Sequence, residues 1–201
     1  MLSLSYEKKL SRSGYALVAG VDEAGRGPLA GPIVAAAVIL PLDCRLPGLN
    51  DSKKLAPKTR EKLFIKIREK AISIGLAVIS HKIIDKLGIG KANKLAMQKA
   101  FQNLMICPDY ILLDGKYSKI KTSLPQKAIT GGDRKVASIA AASIVAKVTR
   151  DRIMVKYHQK YPRYKFDQHK GYGTEKHFEL LRELGPCAIH RRSFYPVSEM
   201  A

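Results

Sequence analysis

An apolar run that ends in two carboxylates constrains this chain more than any other feature. Tyr15 to Asp22 (YALVAGVD) has the length and composition of a buried strand, Glu23 follows, and Ala24-Gly25-Arg26-Gly27-Pro28 then breaks the strand. Ile33 to Leu40 (IVAAAVIL) is a second apolar run, so a loop rich in Gly and Pro joins two buried strands. Carboxylates at such a strand end are solvated, paired with nearby Lys and Arg, or bound to a divalent cation, because an unpaired buried charge is too costly. Neighbouring residues on a strand face opposite sides, so Asp22 and Glu23 serve one cation only if the strand stops there.

The pattern recurs. Pro108 introduces a strand from Tyr110 to Asp114, and ILLDG again sets a carboxylate after apolar residues, either as a turn aspartate or as a ligand. Asp133 follows Gly131-Gly132 and precedes an Ala/Ile/Val-rich helix from about Arg134 towards Tyr157, which suits a helix N-cap as well as a ligand. Asp151 lies too far along that helix to share a site with Asp133 and reads as a surface charge. Amphipathic helices are expected over Pro57–Ile72, Lys91–Leu104 and Thr174–Leu184, and further strands over Gly75–Ser80 and Pro125–Thr130. This alternation predicts an α/β fold with a mixed sheet, and 201 residues favour a single domain.

Around these acids the chain is strongly basic, with 36 Lys and Arg against 17 Asp and Glu. A polyanionic partner is implied, nucleic acid foremost, although ribosome or membrane-surface binding would give the same balance. The apolar run at Ile33 is interrupted by Pro41 and falls far short of the roughly 20 residues that span a bilayer. Lys8, Lys9 and Arg12 precede an apolar run as in a signal peptide, but Asp22-Glu23 interrupts it at once, so no export and no membrane partner are expected. Cys44, Cys107 and Cys187 are scattered and form no C-x-x-C pair, which fits a reducing, cytoplasmic setting. The histidines lack zinc-ligand spacing; clustered carboxylates call instead for one or two Mg²⁺ or Mn²⁺ ions.

Gly25-Arg26-Gly27-Pro28-Leu29-Ala30 matches a G-x-G-x-x-A dinucleotide pattern, but that pattern needs a helix next, and Pro32-Ile33-Val34 predicts a strand. The glycines instead let backbone approach a sugar or phosphate, with Arg26 supplying charge. A non-catalytic RNA-binding protein would explain the basic surface but leaves the strand-end carboxylates without a use.

VDEAGRGPLAGP, DSKKL at Asp51–Leu55, LLDG, SIAAASIVAKVTRD at Ser138–Asp151, HKGYGT at His169–Thr174 and HRRSF at His190–Phe194 resemble the type 2 ribonuclease H family (ribonuclease HII), in family order over nearly the whole chain. The resemblance implies a ribonuclease H-like, five-stranded mixed sheet flanked by helices over residues 1–160, with a helical C-terminal extension over 161–201 packed on the same domain. It implies endonucleolytic hydrolysis of the RNA strand of RNA–DNA hybrids and cutting 5′ of single ribonucleotides embedded in duplex DNA. The products would carry 5′-phosphate and 3′-hydroxyl ends, and the role would be removal of misincorporated ribonucleotides and RNA primers by a monomer. It places Asp22, Glu23, Asp114 and Asp133 as catalytic metal ligands, Gly25, Arg26 and Gly27 at the ribose 2′-hydroxyl, and Tyr172 at the RNA-to-DNA junction. Ser52, Lys53 and Arg191 are further candidates, for gripping phosphate.

Overall fold

The computed structural model describes residues 2–116 and 118–200. Among these the chain runs α1 (Ser5–Arg12), β1 (Val18–Ala24), β2 (Ile33–Ile39), α2 (Pro57–Lys70), β3 (Ser73–Ile79), α3 (His81–Leu87), α4 (Ile89–Gln102), β4 (Tyr110–Asp114), β5 (Gln126–Ile129), α5 (Ala137–Lys160), α6 (Phe166–His169) and α7 (Glu175–Leu184). The strands form one mixed sheet in the order β3-β2-β1-β4-β5, as expected for this alternation. β2 runs antiparallel to both β1 and β3, while β4 lies parallel to β1 and β5 parallel to β4.

β2 shows why the sheet has helices on both faces. All of its residues are buried, so it reads as a continuous apolar run rather than an alternating one. Val34, Ala36 and Val38 pack with α5 and α2 residues such as Leu63, Phe64 and Ile67. Ile33, Ala35 and Ala37 pack on the opposite face with Ile84 of α3 and Ala92, Ala96 and Ala100 of α4. The G-x-G-x-x-A loop leads into this strand and not into a helix.

α5 lies so close to β1 that only glycine fits between them: a Cβ on Gly20 would sit 2.2 Å from the Ser138 carbonyl carbon. The inner face of the helix is correspondingly small, with Ala137, Ala140, Ala141 and Ala146 buried. This close packing puts the helix backbone directly over the strand that carries Asp22.

The helix starts later than its sequence pattern predicts. Residues Gly132–Arg134 form a 3₁₀ turn, and α5 begins only at Ala137, so Asp133 is not its N-cap. A distant residue supplies that cap: Ser138 N donates to Glu7 Oε1 of α1 at 2.8 Å, and the carboxylate also sits favourably at the positive end of the helix. The basic segment that superficially resembles a signal peptide is therefore α1, a helix whose buried acid caps α5. Removing the cap by Glu7→Ala should lower stability by about 1–2 kcal/mol, seen as a lower denaturant midpoint with an unchanged m-value. Glu7→Gln, which keeps an acceptor, should recover part of the loss.

Candidate active site

β1 does not stop at Asp22. It pairs with β2 as far as Ala24↔Val34, whereas its pairing with β4 ends at Val21↔Leu113. The flank of β1 that faces β4 is therefore open from Asp22 onward, and Asp114, the last residue of β4, sits at the mouth of that opening. This corrects the expectation that β1 ends at its carboxylates: the gap is made by the shorter neighbour. The pleat sends Asp22 to the α5 face, where it hydrogen-bonds Ser143, and Glu23 to the other, where Arg26 Nη1 lies 3.5 Å from Glu23 Oε1.

Asp114 is the shared neighbour of the acids. Its charge acts on Asp22, Glu23 and Asp133 alike. Burial, followed by repulsion from Glu23 and Asp114, pushes the Asp22 carboxyl well above its ordinary range. Burial also raises Glu23, with Arg26 offsetting part of the effect and Asp114 adding to it. Asp133 is raised by burial and then by the charges of Asp51 and Asp114. Gly132 N donates to Asp114 Oδ1 at 2.7 Å, which pins the turn bearing Asp133 against the end of β4.

Among the described residues, no group of three or more His, Cys, Asp or Glu side chains is drawn into a cluster ready to hold a metal ion. The carboxylates are neighbours within electrostatic range instead of a closed shell. Their chemistry still fits Mg²⁺ or Mn²⁺: the donors are all oxygens, Asp22 and Asp133 are buried and Glu23 and Asp114 half-buried, and they repel one another without a cation.

Sequence reasoning passed over three residues here. Asp51 is buried, accepts from Lys53 N at 2.9 Å and pairs with Arg134 Nε at 3.1 Å. Burial opposes its ionisation, but the Lys53 amide and Arg134 outweigh it, so its carboxyl lies below the usual range. Ser143 and Lys147 are the others, and with Arg150 they recur at i, i+4 and i+7 along α5. That polar stripe on an otherwise apolar helix was the available signal.

Glu23, Gly25, Arg26, Lys53, Lys147 and Tyr172 line one cleft of about 220 Å³, together with Gly27 and Ser52. Ser52 is buried and shares a hydrogen bond with Ser143 at 3.0 Å, while Lys53 is exposed at the rim. The Tyr172 ring is 37% exposed and lies 5.2 Å from Lys147 Nζ and 5.4 Å from the Arg150 guanidinium. A larger groove of about 670 Å³ continues from Lys147 and Tyr172 past Arg60, Arg152, Lys156 and Lys170. Asp151 lines it, half-buried and bonded to Lys147 Nζ at 2.8 Å, so it is not a bare surface charge.

Arg191 is corrected. It is fully buried, with Nη2 donating to Gly25 O at 2.6 Å, Nη1 to Arg26 O at 3.0 Å and Nε to Gly31 O at 3.0 Å. It holds the loop after β1 and does not reach outward for phosphate. Arg150 does the same from α5, donating to Pro32 O and Ala30 O. Gly25 has φ +104°, and a Cβ there would lie 2.3 Å from Arg150 Nε, so glycine is needed twice over.

Residues 19–197 match the family model for ribonuclease HII. The chain belongs to that family. It is 53% identical to ribonuclease HII of Geobacter metallireducens over 195 residues, covering 97% of this chain and 91% of that one. Ribonuclease H2 from Pyrococcus horikoshii OT3 is a structural neighbour at TM-score 0.79 and 31% identity, covering 92% of this chain and 96% of that one. Bst-RNase HIII in complex with Mn²⁺ aligns at TM-score 0.72 over 92% of this chain and 68% of that one; at 17% identity it shares the fold alone. Family membership makes this a ribonuclease H hydrolase with the ribonuclease H-like sheet.

The electrostatics give a prediction that does not depend on turnover. A folded-state pKa above the unfolded one means that ionised Asp22 opposes folding at neutral pH, and the penalty fades as pH falls through the folded pKa. In chelator at pH 7, Asp22→Asn should therefore be more stable than the parent by on the order of 1–2 kcal/mol. The gap should close on acidification; thermal melts across pH measure both.

Proposed function

We propose that this chain hydrolyses the RNA strand of RNA–DNA hybrids and cuts 5′ of single ribonucleotides in duplex DNA, leaving 5′-phosphate and 3′-hydroxyl ends. The reading is carried by one juxtaposition: Glu23, which feels the charge of Asp114 and acts on Asp22, lines the same cleft as the Gly25-Arg26-Gly27 loop and Tyr172. Asp22, Glu23, Asp114 and Asp133 are the residues that would hold divalent cations, Mg²⁺ or Mn²⁺. Such ions, when bound, polarise the scissile phosphate, acidify a water and stabilise the leaving oxygen.

This chain's own residues supply the selection. A reader of one ribonucleotide must touch the 2′-hydroxyl. The Gly25 and Arg26 carbonyls accept from Arg191, so we assign the amide groups of the loop to the 2′-oxygen. The Tyr172 ring then stacks on the next sugar, which lacks the hydroxyl and leaves its face open. Lys53 sits at the rim to meet phosphate, and Lys147, Arg152, Lys156 and Lys170 along the larger groove give the duplex a basic path. Removal of misincorporated ribonucleotides and RNA primers in the cytoplasm, by a monomer, fits this substrate class; the three free cysteines suit that compartment.

The test is a DNA duplex with a single ribonucleotide, incubated with Mg²⁺, Mn²⁺ or chelator. Cutting on the 5′ side with either ion and none in chelator is expected; metal-independent cutting, or none at all, sinks the reading. Asp22→Asn should lose at least about a hundredfold in rate while still binding the duplex. Tyr172→Ala should lose more on the single-ribonucleotide duplex than on a long hybrid, with a base-stacking contribution of about 1–3 kcal/mol as the scale. Equal losses on the two substrates would remove the ring from junction reading.

A further inference from the structure

Next to Tyr172 three histidines pack against one another, one of them, His169, also lining the larger groove. The His169 and His177 rings stack with centroids 4.2 Å apart and planes 17° from parallel, and His190 completes the cluster at 5.3 Å from His177. The buried rings of Phe166 and Tyr164 pack against it. His177 and His190 are buried, and neither belongs to the acidic site.

Their hydrogen bonds have one consistent direction. The Cys187 amide donates to His190 Nδ1 at 2.9 Å, so the neutral His190 ring carries its proton on Nε2. That proton points at His177 Nε2, 3.0 Å away, which must accept. His177 then carries its proton on Nδ1, where it donates to the Tyr172 carbonyl at 2.9 Å. His169 follows the same logic: Gly171 N donates to its Nδ1, and its Nε2 donates to Tyr164 O. Burial, then the neighbouring imidazoles, push His177 down to about 4 and His190 to about 3, so all the links are made with neutral rings at physiological pH.

Both ends of this relay lead to parts of the cleft. One end holds the backbone of Tyr172 itself. At the other, His190 pairs with Ala30 in an isolated bridge, Gly31 N donates to Ile189 O, and Arg191 N donates to Leu29 O. The Arg191 side chain grips Gly25 and Arg26. The ring that meets the DNA side of the junction and the loop that meets the ribose are thus joined through a pair of imidazoles.

We infer that His177, acting with His190, is a positioning residue for junction recognition: it fixes Tyr172 relative to the Gly25-Arg26-Gly27 loop. The inference rests on the proposed function. A small displacement of the ring would spoil stacking on a single deoxyribose, whereas a long hybrid offers ribose at every step and needs no such registration. Selectivity should therefore depend on His177 more than basal hydrolysis does.

The experiment compares His177→Phe, which keeps an aromatic ring but loses both hydrogen bonds, with His177→Asn, whose amide can still donate to the Tyr172 carbonyl. On a single-ribonucleotide duplex, His177→Phe should lower kcat by about tenfold or more, with cutting of a continuous hybrid within about twofold of the parent, and His177→Asn should recover most of the difference. Equal loss on both substrates, no loss, or an Asn variant no better than Phe overturns the role of His177. A parent protein that cuts neither substrate overturns the proposed function as well. Nitrogen NMR of the imidazoles in the unaltered protein needs no variant to fold: at pH 7 it should find His177 protonated on Nδ1 and His190 on Nε2. The reverse tautomers would break the relay and the inference with it.

Discussion

Two buried guanidinium groups hold the loop on which the rest of the site depends. Arg150 and Arg191 are fully enclosed, and they donate to backbone carbonyls from Gly25 to Pro32 and to Lys170 O, with no carboxylate among these acceptors. Burying a cation this way is expensive unless its donors are satisfied. Here the satisfaction is mutual, because the loop is too tight to pair its own carbonyls in a ladder. Burial and the charge of Arg150 lower Arg191 only to about 9, so it stays charged at neutral pH. The loop is consequently fixed from α5 on one side and from the C-terminal segment on the other. Neither β1 nor β2 could hold it alone.

That arrangement also separates charge in a useful way. The acids converge where β4 ends and β1 continues, and the basic groups line the cleft and groove beside them. A polyanion is drawn by the periphery and meets repelling carboxylates at the centre unless cations neutralise them. The depressed Asp51 and the raised Asp133 mark the boundary between the two regimes. Asp51 has the Lys53 amide and Arg134 to stabilise its charge, whereas Asp133, its close neighbour, has burial and like charge working against it. Pairs of acids pushed apart in this way are typical of sites that handle protons or metals.

Much of this was legible in the chain. The β-strands, the mixed sheet and the association of Asp22, Glu23 and Asp114 follow from apolar runs that end in carboxylates, because burial and pleat alternation are local properties. What escaped was long-range. Nothing in the segment Arg134–Tyr157 says that the helix waits until Ala137, since the reason is Glu7, a residue more than a hundred positions earlier. The charge of Arg191 makes it a candidate phosphate ligand in the sequence; only the fold reveals that its donors are consumed by carbonyls far away in sequence. Asp51 stands in the DSKKL block, but its pairing with Arg134 joins residues far apart in sequence. The family motifs did mark these segments as blocks, but a motif names the residues and leaves their partners unstated.

The contrast between the two walls of the cleft explains why its recognition elements are tied together at all. The strand-end carboxylates can tolerate adjustment, since oxygens on rotatable side chains can move to meet a cation. Reading a single 2′-hydroxyl has no such latitude: the amides of a glycine loop are fixed to the main chain, and an error in the loop is an error at the sugar. Tyr172 sits in a short Gly-flanked turn that would otherwise be among the softer parts of the fold. Gly171 O accepts from Leu29 N at 2.8 Å, so this turn is pinned to the loop by backbone, by Arg150 through Lys170 O and by the imidazole relay. Under the proposed function, these three ties give the turn the fixed position that reading a single 2′-hydroxyl would require.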